Sequence, residues 1–236
     1  MNQLMDDGGA KTLNTIAQAN KFNEWMYDTI KPFCKGRILE IGSGIGNISS
    51  FFIRDGASIM LSDIRPAYCD HLRMQFKDHP VTNLDLVHPN FEQQYATLLS
   101  SFDTVFALNV VEHIHDHELA ISNATKLLVQ GGSMIILVPA YQWLYNGFDK
   151  ELEHFRRYTR KRLKALMSPH VNIVHSQYFN GAGIPGWFIT GSILRRKLIP
   201  EGQMKFFNTL VPAFRLLDRL VNNAIGLSVI AAGTKR

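Results

Sequence analysis

Glu40-Ile41-Gly42-Ser43-Gly44-Ile45-Gly46 is the stretch that decides the fold of this chain. Ahead of it, Arg37-Ile38-Leu39-Glu40-Ile41 reads as a short buried strand, and behind it Asn47 to Arg54 reads as the opening of a helix. The glycines between them permit positive φ and let a ligand approach the backbone where a Cβ would clash, while the helix start supplies free N–H groups. Two acids add to the pattern. Glu40 stands just before the turn, and Asp63 ends the next apolar run, Ala57-Ser58-Ile59-Met60-Leu61-Ser62. In a doubly wound sheet an acid at that second position is placed to take the hydroxyls of a ribose, so the stretch predicts an α/β nucleotide-binding fold.

Dinucleotide dehydrogenases carry G-x-G-x-x-G in this setting. From Gly42 the third glycine of that pattern would fall at Asn47, and its place is taken by Gly46. The resulting G-x-G-x-G, with an acid two residues before the first glycine, resembles motif I of the class I S-adenosylmethionine (SAM) methyltransferases. A carboxylate there suits a cationic cofactor and would repel a diphosphate. The resemblance implies a Rossmann-like, doubly wound seven-stranded sheet of order 3-2-1-4-5-7-6 with the last strand antiparallel. It also implies SAM as cofactor and S-adenosyl-L-homocysteine as product, with Glu40, Gly42, Ser43, Gly44, Gly46, Asp63 and Ile64 around it.

Further along, Pro66 to Lys77 is helical in period, and Leu84-Asp85-Leu86-Val87-His88 reads as strand three. By the same resemblance Asn90 reads the adenine amino group and Phe91 covers the ring; the alternative is that Asn90 caps the next helix. Strand four, Asp103 to Asn109, runs into Val110-Val111-Glu112-His113-Ile114. That segment resembles the D-x-V-x-x-x-N-V-x-E-H stretch of small-molecule methyltransferases of the ubiquinone and menaquinone type, which puts Asn109 and Val110 against the cofactor. The Asn/Asp-Pro-Pro-aromatic tetrad of enzymes that methylate base amines or glutamine amides is missing, as is the Pro-Cys of cytosine C5 enzymes. Nucleic acid is therefore not the expected partner. His113, His115 and His117 alternate at a helix start, a spacing that splays the rings, so no metal is assigned to them.

Strand five, Ser133 to Val138, follows a turn at Gly131-Gly132, with Gln130 where the family usually has proline. Beyond it come Tyr141 to Asp149 and then Glu153-His154-Phe155-Arg156-Arg157-Tyr158-Thr159. The second part resembles the H-x-R-x-[FY]-[ST] loop of small-molecule methyltransferases, with Thr159 as N-cap of the next helix. Loops after strands four and five lie beside the reactive end of the cofactor. His154 is the first candidate for a general base and His113 the second; Tyr141 lies alongside, and Arg156 or Arg157 is the clamp for an acidic acceptor. The competing reading is that His154, Asp149 and Arg157 hold the loop together by internal hydrogen bonds.

Length and composition suit one soluble domain of 236 residues. We divide it into an N-terminal helical cap (1–36), a cofactor-binding core (37–180), a helical insertion (181–222) between strands six and seven, and a final strand (223–236). The net charge of +5 permits an anionic partner without requiring nucleic acid. Cys34 and Cys69 match no zinc or redox spacing. With no signal peptide legible and no apolar run long enough to span a bilayer, the expected location is cytoplasmic. The insertion interleaves Trp187, Phe188, Phe206, Phe207 and Phe214 with Arg195, Arg196, Lys197, Arg215 and Arg219. It suggests a cap over an amphiphilic, anionic small-molecule substrate, a dimer face, or peripheral membrane contact through 187–220. Monomer and dimer are equally open. The function expected is methyl transfer from SAM to the oxygen or nitrogen of a small molecule. The alternatives are a non-catalytic lipid- or partner-binding module on the same fold, or a protein or RNA methyltransferase.

Overall fold

The computed structural model describes residues 19–196 and 201–236. Its centre is a seven-stranded sheet of order β3-β2-β1-β4-β5-β7-β6, the expected order. The strands are β1 (Ile38–Ile41), β2 (Ile59–Asp63), β3 (Val81–Asn83), β4 (Phe102–Leu108), β5 (Leu128–Pro139), β6 (Val171–Phe179) and β7 (Ser228–Lys235). β1 pairs in parallel with β2 and β4, and all four of its residues are buried. Burial on both faces is why Ile38 to Ile41 shows an apolar run and little alternation. β7 lies antiparallel between β5 and β6.

Each face of the sheet has its own core. Leu39, Ile41, Val105, Ala107, Met134 and Ile136 pack on one side, with Ile121, Leu127 and Leu163 from the covering helices. Ile38, Phe106, Ile135 and Leu137 pack on the other, against Trp25, Met26, Tyr27 and Phe52. Register then sets the site. Ile41 pairs with Ser62 and with Ala107, so the carboxyl ends of β1, β2 and β4 open along one edge of the sheet.

Three expected boundaries move. β3 is Val81–Asn83, and Leu84 and Leu86 are core residues of the segment that follows it. That segment is apolar because it lines the inside of the fold, so composition alone gives no strand. The turn expected at Gly131-Gly132 lies within β5: Gly131 has φ +73°, and the pairing with β4 shifts register between Phe102 and Thr104, the sign of an irregularity in the ladder. The Gly/Pro-rich composition of Gly181 to Trp187 predicts a loop at the start of the insertion, but most of the stretch is helix. Gly183–Trp187 is helical and continues into a π-helical segment, Phe188–Ile193, with Pro185 in the first turn where a missing N–H costs little.

The long helix Glu201–Leu220 carries Pro212 in its interior and lies against the helix Asn20–Ile30. Phe207 meets Phe22 at 5.6 Å between ring centroids and Phe214 at 5.1 Å. Arg215 pairs with Asp28 at 2.8 Å. At the other end, buried Asp218 accepts the N–H groups of Asn180 (2.6 Å) and Gly181 (2.9 Å). The insertion is thereby tied both to the N-terminal helix and to the end of β6. Residues 1–18 of the expected N-terminal cap, and Lys197 of the basic cluster, lie outside the described residues. Among the described residues no helix is long and apolar enough to cross a membrane.

Candidate active site

The open edge of the sheet forms a cavity of about 760 Å³. At its floor, Gly42 (φ +71°) and Gly44 (φ +55°) carry the chain from β1 into the helix Ser49–Arg54. A Cβ on Gly42 would lie 2.4 Å from Val110 Cγ2, so the turn is closed off by the segment after β4. Gly46 also has positive φ but does not line the cavity; its missing Cβ leaves room for Phe76, 2.3 Å from where that atom would be. Its assignment to the cofactor is replaced by a packing role.

Ser43 bridges to the next strand, its N–H donating to Ser62 O at 2.8 Å and its Oγ accepting from Ser62 N at 3.2 Å. Glu40 is buried on the cavity wall and accepts a hydrogen bond from Ser49 Oγ. Burial pushes its carboxyl up to about 7, against the pull of Ser49 and Ser43. Asp63 accepts from Gly44 N at 3.0 Å and Arg65 N at 2.9 Å. Burial raises its pKa as well, and those two N–H bonds oppose the rise. Ile64 lines the wall beside it, as do Asn109 (φ +55°) and Val110 opposite.

Asn90 and Phe91 are elsewhere. Asn90 is exposed and makes no side-chain cap, and Phe91 is buried beside Tyr95 with centroids 5.0 Å apart. Because β3 ends early, the wall expected for them is built from Leu84, Asp85, Leu86 and Val87. Asp85 Oδ1 accepts from Val87 N at 2.9 Å. The apolar run Leu84 to Val87 hid this position: Asp85 stands two residues past β3, whereas Asp63 is the last residue of β2.

The far side of the cavity comes from the loops after β4 and β5. His113 and His154 meet ring edge to ring face with centroids 4.6 Å apart, and both line the cavity. His154 Nδ1 lies 2.8 Å from Asp149 Oδ1, and the same oxygen accepts from Arg157 Nε at 2.8 Å. Asp149 Oδ2 accepts from Asn146 N, closing a capping box at the helix Gly147–Glu151. Burial alone would raise Asp149, but bonds from His154, Arg157 and Asn146 N outweigh it and the carboxyl is held down. Arg157 is itself buried, donates Nη1 to Ala140 O at 3.0 Å, and lies 4.6 Å from the Trp187 ring centroid. It holds the loop together. Arg156 is directed to His115 O at 2.9 Å, away from the cavity. Tyr141 is also off the wall, stacked on Tyr178 at 4.9 Å with φ +60°. Of the residues expected at the acceptor, Arg156 and Tyr141 thus lie off the cavity, while Arg157 lines it with its Nε and Nη1 engaged by Asp149 and Ala140; Thr159 caps its helix, accepting from Arg162 N at 3.2 Å.

His115 and His117 diverge as their spacing requires, His115 to Phe155 and His117 to Tyr158 Oη at 2.7 Å. His113 reaches solvent through the cavity, yet surrounding protein and neighbouring His154 bring its pKa down to about 4. Beside it, Glu112 is completely buried with neither carboxylate oxygen hydrogen-bonded, and burial pushes it up to about 8. The sequence sets Glu112 beside the alternating histidines, whose spacing argued against a metal group, and nothing in that local pattern tells that it lies near His154. The remaining wall comes from Phe22, Asn23 and Met26 of the N-terminal helix and from Gly183, Trp187, Met204 and Phe207 of the insertion.

A sheet of this order, with an acid-flanked glycine turn and a second acid ending β2 on one cavity, defines a Rossmann-like methyltransferase fold. Residues 39–134 match the family described as a methyltransferase domain. That match and the likenesses that follow support a class I SAM-dependent methyltransferase family. It is 29% identical over 130 residues to the ubiquinone biosynthesis O-methyltransferase of Xanthomonas euvesicatoria pv. vesicatoria, covering 55% of this chain and 53% of that protein. To the enzyme of that name from Chelativorans sp. it is 30% identical, over 45% of this chain and 41% of the other. The chain thus spans about half the length of the curated relatives it matches. In fold it is similar to a SAM-dependent methyltransferase from Archaeoglobus fulgidus (TM-score 0.58, 16% identity, 90% of this chain and 94% of that one). It is also similar to Haemonchus contortus phosphoethanolamine N-methyltransferase 2 in complex with SAM (TM-score 0.58, 14% identity, 90% and 52%).

Proposed function

We propose that this chain transfers the methyl group of SAM to a small-molecule acceptor, most readily a hydroxyl oxygen. The observation that carries the reading is that the glycine turn, Asp63, His113 and His154 all line one cavity. In it the adenosine lies between Asp63, on the ribose, and Asp85, on the adenine; the cationic methionine end lies over Gly42 and Gly44 with Glu40 beneath. The methyl group then points toward Asn109 and the two histidines. Transfer is an in-line displacement, so the protein's work is alignment and exclusion of water. His113 and His154 present ring nitrogens to the acceptor, and Asp149 fixes the orientation of His154.

The relatives named for ubiquinone biosynthesis favour oxygen as the acceptor atom. An apolar acceptor fits the remaining wall, where Trp187, Met204 and Phe207 supply apolar area. Ile193 and Leu194, 60% and 57% exposed, flank exposed Arg195 and Arg196, which suits delivery of such a molecule from an anionic lipid surface. The test is SAM binding by calorimetry, followed by a panel of phenols, carboxylates and amines with and without hydrophobic tails, read as S-adenosylhomocysteine formed. No binding of SAM at millimolar concentration would refute the reading; turnover confined to amines would refute the oxygen assignment.

A further inference from the structure

We propose that Glu112, His113 and His154 form a site for one divalent transition-metal ion, zinc by the chemistry of its donors, on the wall of the cavity. Each of the three offers a ligand atom, and these atoms all lie within 4.8 Å of one another. Two imidazoles and one carboxylate are the protein ligands of a zinc ion that keeps a coordination position open.

Three further features fit. Glu112 is fully buried and both its oxygens lack a hydrogen-bond partner, an arrangement a folded protein rarely leaves uncompensated. Arg157, the nearby cation, is already paired with Asp149 and does not fill that role. His154 is held through Nδ1 by a buried carboxylate, as metal-binding histidines usually are; with Asp149 ionised, Nδ1 carries the hydrogen and Nε2 keeps its lone pair. His113 and His154 both face the cavity, so the open position faces it too.

The role of the ion rests on the methyl-transfer reading. An acceptor hydroxyl bound at the open position ionises and releases its proton to solvent. Its oxygen then forms the O–CH3 bond as the S–CH3 bond of SAM breaks, leaving S-adenosylhomocysteine. His154 acts as a ligand in this form of the site, and no side-chain base is needed.

The experiment is a zinc titration of the full chain, without a histidine tag and stripped by a chelator, in competition with a chromophoric zinc indicator. The expected result is one zinc ion per chain, with affinity lowered at least tenfold in Glu112→Gln and in His113→Ala and unchanged in His115→Ala and His117→Ala. If Glu112→Gln does not fold, as judged by circular dichroism, His113→Ala decides, since its ring already reaches solvent. The proposal is overturned if the wild-type chain takes up no zinc, if both site variants bind it as tightly as wild type, or if the loss follows His115 or His117. SAM affinity, measured by calorimetry on the same samples, separates the two claims: zinc without SAM binding refutes the methyltransferase reading alone, and SAM without zinc refutes the metal site alone.

Discussion

The Gly44 N–H donates to Asp63 Oδ2 at 3.0 Å, joining the end of β2 to the glycine turn after β1. One carboxylate therefore shapes the turn and still has lone pairs facing the cavity, since each oxygen accepts one backbone N–H. Replacing Asp63 by Ala removes the turn contact together with the proposed bonds to the ribose. The expected cost in SAM binding is about 2–4 kcal/mol. Calorimetry giving an unchanged affinity would exclude Asp63 from the cofactor site.

Gly42 is held by both conformation and space. Ala at this position would keep φ near +71° and drive its Cβ to 2.4 Å from Val110 Cγ2. Gly42→Ala is expected to weaken SAM binding at least tenfold, and Val110→Ala in the same chain to restore part of the loss by removing the clash. A double variant no better than the single one would mean that the backbone conformation alone carries the effect.

His154→Gln should lower turnover by about a hundredfold or more while SAM affinity holds, whether the imidazole meets a proton or a metal ion. Loss of thermal stability with full turnover in the folded enzyme would instead make the Asp149–His154–Arg157 cluster a scaffold for the loop.

Glu40 gives a pH dependence of definite sign. Its carboxyl titrates near 7 in the folded chain, against 4.5 ordinarily, because burial disfavours the charge. The folded state thus binds the proton more tightly than the unfolded state. The contribution to stability is complete below about 4.5 and is lost as pH rises through about 7. Melting temperature should fall over that interval, and Glu40→Gln should flatten that part of the slope. Cationic SAM favours the ionised carboxylate, so its affinity should drop below pH 7 in the wild type and depend less on pH in Glu40→Gln.

For the insertion, vesicle co-sedimentation should show the full chain bound to anionic lipid and an Arg195→Ala/Arg196→Ala/Lys197→Ala variant released, with SAM affinity equal in both. Equal sedimentation of the two proteins would leave the insertion as a packing or dimerisation element.

What the sequence determined by itself is local. The G-x-G-x-G turn needs positive φ at fixed places, and only glycine supplies that cheaply, so the turn, its strand and the acid after β2 are written in consecutive residues. Strand order came from the resemblance of that turn and its flanking acids to motif I of the methyltransferases, and the sheet has that order. Where composition stood in for geometry it misplaced residues: Leu84 and Leu86 are apolar because they are buried, and treating them as strand put Asn90 and Phe91 on a wall that Leu84 to Val87 line. Gly46 looked like part of the cradle but is fixed by Phe76, thirty positions along the chain. The tertiary structure alone decided that Glu112 lies beneath His154, that Asp149 binds both His154 and Arg157, and that Trp187 and Phe207 wall the cavity. Those contacts join segments with no periodicity in common. Each side chain's partner is set by how loops cross the carboxyl edge of the sheet, which the local preferences of the chain do not encode.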